Sequence, residues 1–245
     1  MSSDLDLIKL SDMVDIKPIG DNQKEVFTAY KKGVNQFIFG AAGTGKTFVL
    51  LYNALKEVLD PASKPSRIII VRAFTPTREN ASDNTNIEQF ETNYKNMVQY
   101  MFKQPNDDAF RMLFDRLKTQ GAIQFASTSF LRGLTFDNAI VIVDECQNMN
   151  FHELDTVITR IGADTKINFA GDFFQSDLID TNERNGLHDF MRILENMKTF
   201  TITEFTIGDI VRSGLVREYL IEKTKLGLGV EIWSTIGNLL KPISY

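Results

Sequence analysis

Eight consecutive residues, Gly40-Ala41-Ala42-Gly43-Thr44-Gly45-Lys46-Thr47, match the phosphate-binding pattern G-x-x-x-x-G-K-[ST] at every fixed position. Glycines let successive backbone N–H groups turn inward on a phosphate, and the N-terminus of a following helix adds partial positive charge. Lys46 is then placed to reach β- and γ-phosphates, and the Thr47 hydroxyl to coordinate Mg2+. Far downstream, Asp144 and Glu145 close the apolar run Ala139-Ile140-Val141-Ile142-Val143. Two acids after one hydrophobic run are a weak signal alone. Behind a complete phosphate loop they fit a pair in which Asp144 holds Mg2+ through water and Glu145 polarises the attacking water. Gln175, in Gly171-Asp172-Phe173-Phe174-Gln175, carries an amide suited to sensing a γ-phosphate or positioning water, with Asp172 orienting that loop. Arg212 is a candidate for stabilising transition-state charge in its own site or a neighbour's, the alternative being an ordinary helix-terminal salt bridge.

These groups need a scaffold, and the flanking pattern supplies one. The short apolar run Asn35-Gln36-Phe37-Ile38-Phe39 predicts a buried strand ahead of the glycines, and residues 48–59 predict a helix behind them, with Leu51, Leu55, Val58 and Leu59 at helical spacing. Arg67-Ile68-Ile69-Ile70-Val71 reads as a strand covered on both faces, as in a parallel sheet. Its carboxyl end opens into residues 72–81, where open α/β sheets bind ligands. Arg72, Thr75, Thr77 and Arg78 there are candidates for contacting a single nucleic-acid strand, and a solvated polar loop is the plainer reading. Residues 82–121 predict two amphipathic helices separated by Pro105, expected to project as an arm or lid, with the stripe Phe90, Tyr94, Met97, Val98 and Met101 serving packing. Further strands are expected at 122–126, 166–170 and 199–203, and helices at 186–197 and through Glu218 and Leu220. Arg132 lies in the polar loop after the first of these strands and is a further nucleic-acid candidate.

A chain of 245 residues that is 43% hydrophobic can bury one substantial core, and a single α/β domain with an insertion suits it. The formal charge of −5 excludes a wholly basic coat, so nucleic-acid contact must come from a local patch. One cysteine, Cys146, cannot form an internal disulfide and favours a reducing interior without structural zinc. Nothing resembles a signal peptide or a bilayer span, so a soluble, cytoplasmic protein without membrane contact is expected. Residues 1–18 read as a leader, 19–230 as the nucleotide-binding domain and 231–245 as an apolar tail.

Together the segments resemble the PhoH-like family of ATPases, whose fold is similar to the first RecA-like domain of superfamily 1 helicases. The resemblance spans residues 19–226. It is carried by Gln23, the phosphate loop, Phe130-Leu131-Arg132-Gly133-Leu134-Thr135-Phe136, Val143-Asp144-Glu145-Cys146-Gln147-Asn148, Thr159-Arg160-Ile161-Gly162, Gly171-Asp172-Phe173-Phe174-Gln175-Ser176-Asp177-Leu178, Asn185-Gly186-Leu187 and Asp209-Ile210-Val211-Arg212. It implies an α/β P-loop NTPase, with a RecA-like parallel sheet flanked by helices and a helical insertion. ATP and Mg2+ are the implied cofactors, with Gln23 reading adenine through its amide. Cys146 stands where the family usually has Ala, and Leu134 where it usually has a second Arg. After Arg72 the family's proline and acidic, glycine-rich stretch are missing, and Thr75-Pro76-Thr77-Arg78-Glu79-Asn80-Ala81 looks instead like the strand-binding motif Ia of superfamily 1 helicases. Such divergence in a short chain looks like a phage version of the family, which would act in the host cytoplasm.

The function this implies is Mg2+-dependent ATP hydrolysis coupled to movement along, or unwinding of, single-stranded RNA or DNA, with RNA favoured. A helicase closes its site with a second RecA-like domain, for which the chain has no room. A neighbouring subunit would do so instead, which predicts a homo-oligomer, with a hexameric ring as one form. The alternative is an ATP-gated switch with little turnover, disfavoured by Glu145, which a pure switch does not need. A small-molecule kinase is disfavoured because the Gln175 and Arg132 loops have no task there.

Overall fold

In the computed structural model, residues 8–73, 83–103, 112–131, 133–172 and 181–226 are described. Six strands form one wholly parallel sheet in the order β3-β2-β4-β5-β1-β6: β1 (Asn35–Gly40), β2 (Arg67–Arg72), β3 (Ile123–Ser127), β4 (Ala139–Val143), β5 (Lys166–Gly171) and β6 (Phe200–Phe205). The described helices are α1 (Asp21–Lys31), α2 (Lys46–Val58), α3 (Asp83–Gln99), α4 (Leu113–Thr119), α5 (Phe151–Ile158), α6 (Thr181–Glu195) and α7 (Gly214–Lys225).

Because side chains alternate along a strand, each apolar run feeds two cores. Ile38, Ile68, Ile70, Ile140 and Ile142 face one core with Val26 of α1, Leu50, Leu51 and Leu55 of α2, Tyr94 and Val98 of α3 and Phe114 and Leu117 of α4. Phe37, Phe39, Ile69, Val71, Val141, Val143 and Phe169 face the other, covered by Leu154 and Val157 of α5 and by Leu187, Phe190 and Leu194 of α6. The capping box of Asn150 and Glu153 starts α5, satisfying its first amides.

The helical insertion lies between β2 and β3, but over its described residues it does not project as an arm. Tyr94, Val98, Met101, Phe102, Leu113, Phe114 and Leu117 are all buried in the first core. The reason is that β3 is an edge strand whose inner face needs cover. The Phe125 ring of β3 takes Tyr94 at 5.3 Å and Phe114 at 6.3 Å between centroids. The described end of the leader is pinned too. The Tyr52 hydroxyl accepts from Ile16 N at 2.9 Å and donates to Val14 O at 3.0 Å, while Val14 N reaches Met101 O.

The strand order has a chemical consequence. β5 separates β1 from β4, so the phosphate loop and the acid pair leave the same sheet edge two strand spacings apart, about 9–10 Å. That gap leaves room for phosphate oxygens between them.

Phe169 sits fully buried in the middle of this arrangement, against Phe37, Phe190 and Phe200. Replacing it with Ala leaves a cavity, and Phe169→Ala is expected to cost about 3–5 kcal/mol in urea unfolding.

Candidate active site

The phosphate loop is built from the backbone outward. Gly40 has φ 124°, and a Cβ there would lie 1.9 Å from the Phe205 carbonyl oxygen, so no other residue fits as the chain leaves β1. Ala41 N donates to the same oxygen at 2.9 Å, tying the loop to β6. The Thr44 hydroxyl donates to Ala41 O at 2.9 Å and closes the turn. Gly45 occupies the cap of α2 in the left-handed region, at φ 84°, with no side-chain hydrogen bond to the helix. The first amides of α2, which have no carbonyl partner within the helix, thus face outward without a competing cap, as anion binding requires.

Lys46 is buried, and its Nζ donates to Gly40 O at 2.9 Å and Ala41 O at 2.8 Å. Burial pulls its pKa below the usual lysine value, while the negative charges of Asp172, Glu145 and Asp144 oppose that shift. The ammonium is thus held by two loop carbonyls, with three acids acting on it from beyond ion-pair distance.

Next to it, Thr47 Oγ1 donates to Asp144 Oδ1 at 2.6 Å, which joins the loop to the end of β4. The other Asp144 oxygen accepts from the Tyr94 hydroxyl at 2.5 Å. Burial, reinforced by the Asp144 charge, pushes the Tyr94 phenol well above its ordinary pKa, so it stays a donor.

Glu145 has φ 54° and ψ 40°, a left-handed conformation uncommon for a residue with a Cβ and typical of functional turns. Gln147 Nε2 donates to Glu145 Oε2 at 2.5 Å, and Gln147 Oε1 accepts from Asp172 N at 2.9 Å. One buried amide thus ties the second acid to the end of β5. The Arg72 guanidinium approaches Glu145 Oε1 to 4.0 Å. Burial, and then the Asp144 charge, raises the Glu145 pKa above the usual carboxylate value. Gly171 permits the close fit, since a Cβ there would lie 2.7 Å from the Cys146 sulfur and 3.1 Å from Gln147 Oε1.

A second layer covers the loop. Val211 N donates to Gly43 O at 3.1 Å, and the Arg212 stem lies over Gly43, with its Cγ 2.9 Å from where a Cβ would stand. Asp209 anchors this segment by accepting from Asn22 Nδ2 and Thr206 N, each at 2.8 Å. Gln23 is buried beside it, accepting from Ile19 N at 2.8 Å and donating to Thr44 O at 3.2 Å. Its amide keeps one hydrogen and one lone pair beyond these bonds.

The residues present suit a hydroxyl- and carboxylate-bound hard cation: Thr47 and Asp144 already lie within hydrogen-bonding distance of each other. Among the described residues no group of three or more His, Cys, Asp or Glu could hold a metal by itself. Mg2+ at this place would therefore take most of its ligands from phosphate oxygens and water, as it usually does.

The structure brings Gln23, the loop from Gly40 to Thr47, Arg72, Asp144, Glu145 and Arg212 to one sheet edge. Thr75, Thr77, Arg78, Arg132 and Gln175 lie outside the described residues. Arg72 stands beside Glu145, a position its sequence context did not suggest. Two participants were missed. Gln147 stood inside a segment already singled out, two residues after Glu145, and nothing marked its amide as a bridge. Tyr94 stood in an apolar helical stripe where its ring and its hydroxyl could not be told apart.

A family model described as PhoH-like protein matches residues 15–222. A PhoH-like protein of Mycobacterium leprae is 28% identical over 83% of this chain and 57% of its own length. One of Synechocystis is 30% identical over 80% and 58%, and Protein PhoH of Escherichia coli K12 is 27% identical over 75% and 51%. The chain thus spans little more than half the length of these relatives. Among solved structures, Bacteroides Pif1 bound to ssDNA is similar over 93% of this chain and 50% of its own, with a TM-score of 0.43 and 18% identity. The large terminase of bacteriophage D6E is similar over 84% and 50%, with a TM-score of 0.48 and 13% identity.

The bridging amide can be removed with little change of volume. Gln147→Met is expected to slow nucleotide turnover about ten-fold or more, the scale of a lost hydrogen bond to a charged group, while leaving nucleotide affinity near that of the wild type. Turnover and equilibrium binding measured on the same preparation check this.

Proposed function

The chain belongs to the PhoH-like family, and from that premise and the geometry of the site we propose that it is a Mg2+-dependent ATPase whose turnover is coupled to single-stranded nucleic acid, RNA favoured, as a translocase or helicase. The observation that carries the reading is the placement of Glu145: a carboxylate held by Gln147 and faced by Arg72, beside the Thr47–Asp144 pair and across from the phosphate loop. A protein that only senses nucleotide has no need of such a group.

In this reading the first-turn amides of α2 and the Lys46 ammonium bind the β- and γ-phosphates, Lys46 exchanging the Gly40 and Ala41 carbonyls for phosphate oxygens. Thr47 and Asp144 would hold Mg2+, which when bound neutralises charge on those oxygens. Glu145 orients the attacking water in line with the γ-phosphate and draws off its proton, and its raised pKa makes it a better base than a solvated carboxylate. Gln23 meets adenine with the unused half of its amide. Gln175 senses the γ-phosphate. Arg212, whose stem lies over Gly43 of its own chain, stabilises the transition-state charge.

Nucleic acid would run along the carboxyl edge of the sheet, contacted by Arg72, Thr75, Thr77, Arg78 and Arg132. Arg72 is the link from that track to the chemistry, because it also faces Glu145. A neighbouring copy would close the site, so a homo-oligomer, with a hexameric ring as one form, belongs to this reading.

The test is ATP turnover with Mg2+, alone and with single-stranded RNA or DNA. We expect stimulation, larger with RNA, that declines as salt rises, because phosphate contacts release counterions. Turnover indifferent to both strands would contradict the coupling. Tight ATP binding with negligible turnover would favour a nucleotide-gated switch.

A further inference from the structure

The carboxylate on which the phosphate loop leans is held from its other side by a residue outside every nucleotide-binding motif. Tyr94 lies on α3, in the insertion between β2 and β3, and is 1% exposed. Its hydroxyl donates to Asp144 Oδ2 at 2.5 Å, while Thr47 Oγ1 donates to Oδ1 at 2.6 Å. Each carboxylate oxygen thus has its own short hydrogen bond, from opposite directions in the chain. Two such bonds fix the plane of a carboxylate, which one bond leaves free to turn about its last torsion. The Tyr94 ring is itself fixed, edge-on to Phe125 at 5.3 Å and 64°, in a core shared with Val98 and Phe114.

We propose that Tyr94 is a positioning residue for the divalent cation: it pins Asp144 so that Oδ1 stays turned toward Thr47, where the cation is taken up. The proposal rests on the Mg2+-dependent reading above. A phenol suits this task because it is neutral. It restrains the carboxylate without cancelling the charge the cation needs, as a lysine or arginine would. Partners of this kind, bonded to a ligand and not to the metal, commonly set metal affinity. Tyr94 also ties Asp144 to α3, the helix that follows β2 in the chain.

Tyr94→Phe removes one oxygen and keeps the ring contacts. Binding of a fluorescent ADP analogue in EDTA should match the wild type, while the melting temperature in EDTA should fall by a few degrees, because the buried Asp144 Oδ2 loses its donor. The Mg2+ concentration that half-saturates the metal-dependent change in binding should rise about ten-fold, with excess Mg2+ restoring the wild-type end point. In an Asp144→Asn background the same change should add less than about two-fold, because the two residues act as a unit. An unchanged Mg2+ midpoint in Tyr94→Phe would overturn the proposal, and so would an equal shift in the Asp144→Asn background. A wild type whose nucleotide binding ignores Mg2+ would overturn both the proposal and the metal-dependent reading beneath it. Should Tyr94→Phe not fold, the wild type labelled at tyrosine 13Cζ still decides the matter, since the chain has six tyrosines. One resonance should move on adding Mg2+ to the ADP complex and not on adding ADP alone; no tyrosine responding to Mg2+ would contradict the proposal.

Discussion

The hydrogen bond from Thr47 to Asp144 joins two elements that the sheet holds apart. β5 stands between the strand that feeds the phosphate loop and the strand that ends in the acids. The first turn of α2 reaches across, started by Gly45 in the left-handed region, which turns the chain directly into the helix. The parallel sheet supplies the spacing, and the glycines supply the angle. Thr47 converts both into contact with a carboxylate. A hydroxyl and a carboxylate brought together this way suit the divalent cation that the proposed reading places there, with little rearrangement of either group.

Around that bond the site is an electrostatic balance in a poorly solvated place. Lys46 is a single buried cation, and Asp144, Glu145 and Asp172 all act on it. Specific neutral donors and acceptors hold these charged groups in place. Lys46 has the carbonyls of Gly40 and Ala41, Asp144 has two hydroxyls, and Glu145 has the Gln147 amide. The Gln147 bridge to Asp172 N extends this order to the end of β5.

Much of this was legible in the sequence, for identifiable reasons. The strands showed because a sheet covered on both faces writes itself as continuous apolar runs: residues 67–71 were expected and Arg67–Arg72 observed. The phosphate loop showed because its geometry is local, enforced by Gly40 and Gly45 themselves. What stayed hidden was tertiary. Tyr94 and Asp144 are fifty positions apart, and an apolar helical stripe does not reveal that one hydroxyl in it meets a carboxylate. The stripe itself was rightly read as packing, but the length of the helix pair suggested an arm, whereas over its described residues the insertion covers the β3 edge. Arg72 looked like a strand contact because it ends β2 at the ligand-binding edge, and only the sheet order brings Glu145 beside it.

Whether this edge is a hydrolytic site turns on Glu145, and Glu145→Gln isolates it by exchanging one oxygen for an amide. The decisive measurement is ATP binding and single-turnover hydrolysis of the wild type and this variant under the same Mg2+ concentration. The account predicts ATP affinity close to that of the wild type with hydrolysis slowed at least about 100-fold, as expected for loss of a general base. Hydrolysis by Glu145→Gln at the wild-type rate would contradict it, because water would then be activated by some other group.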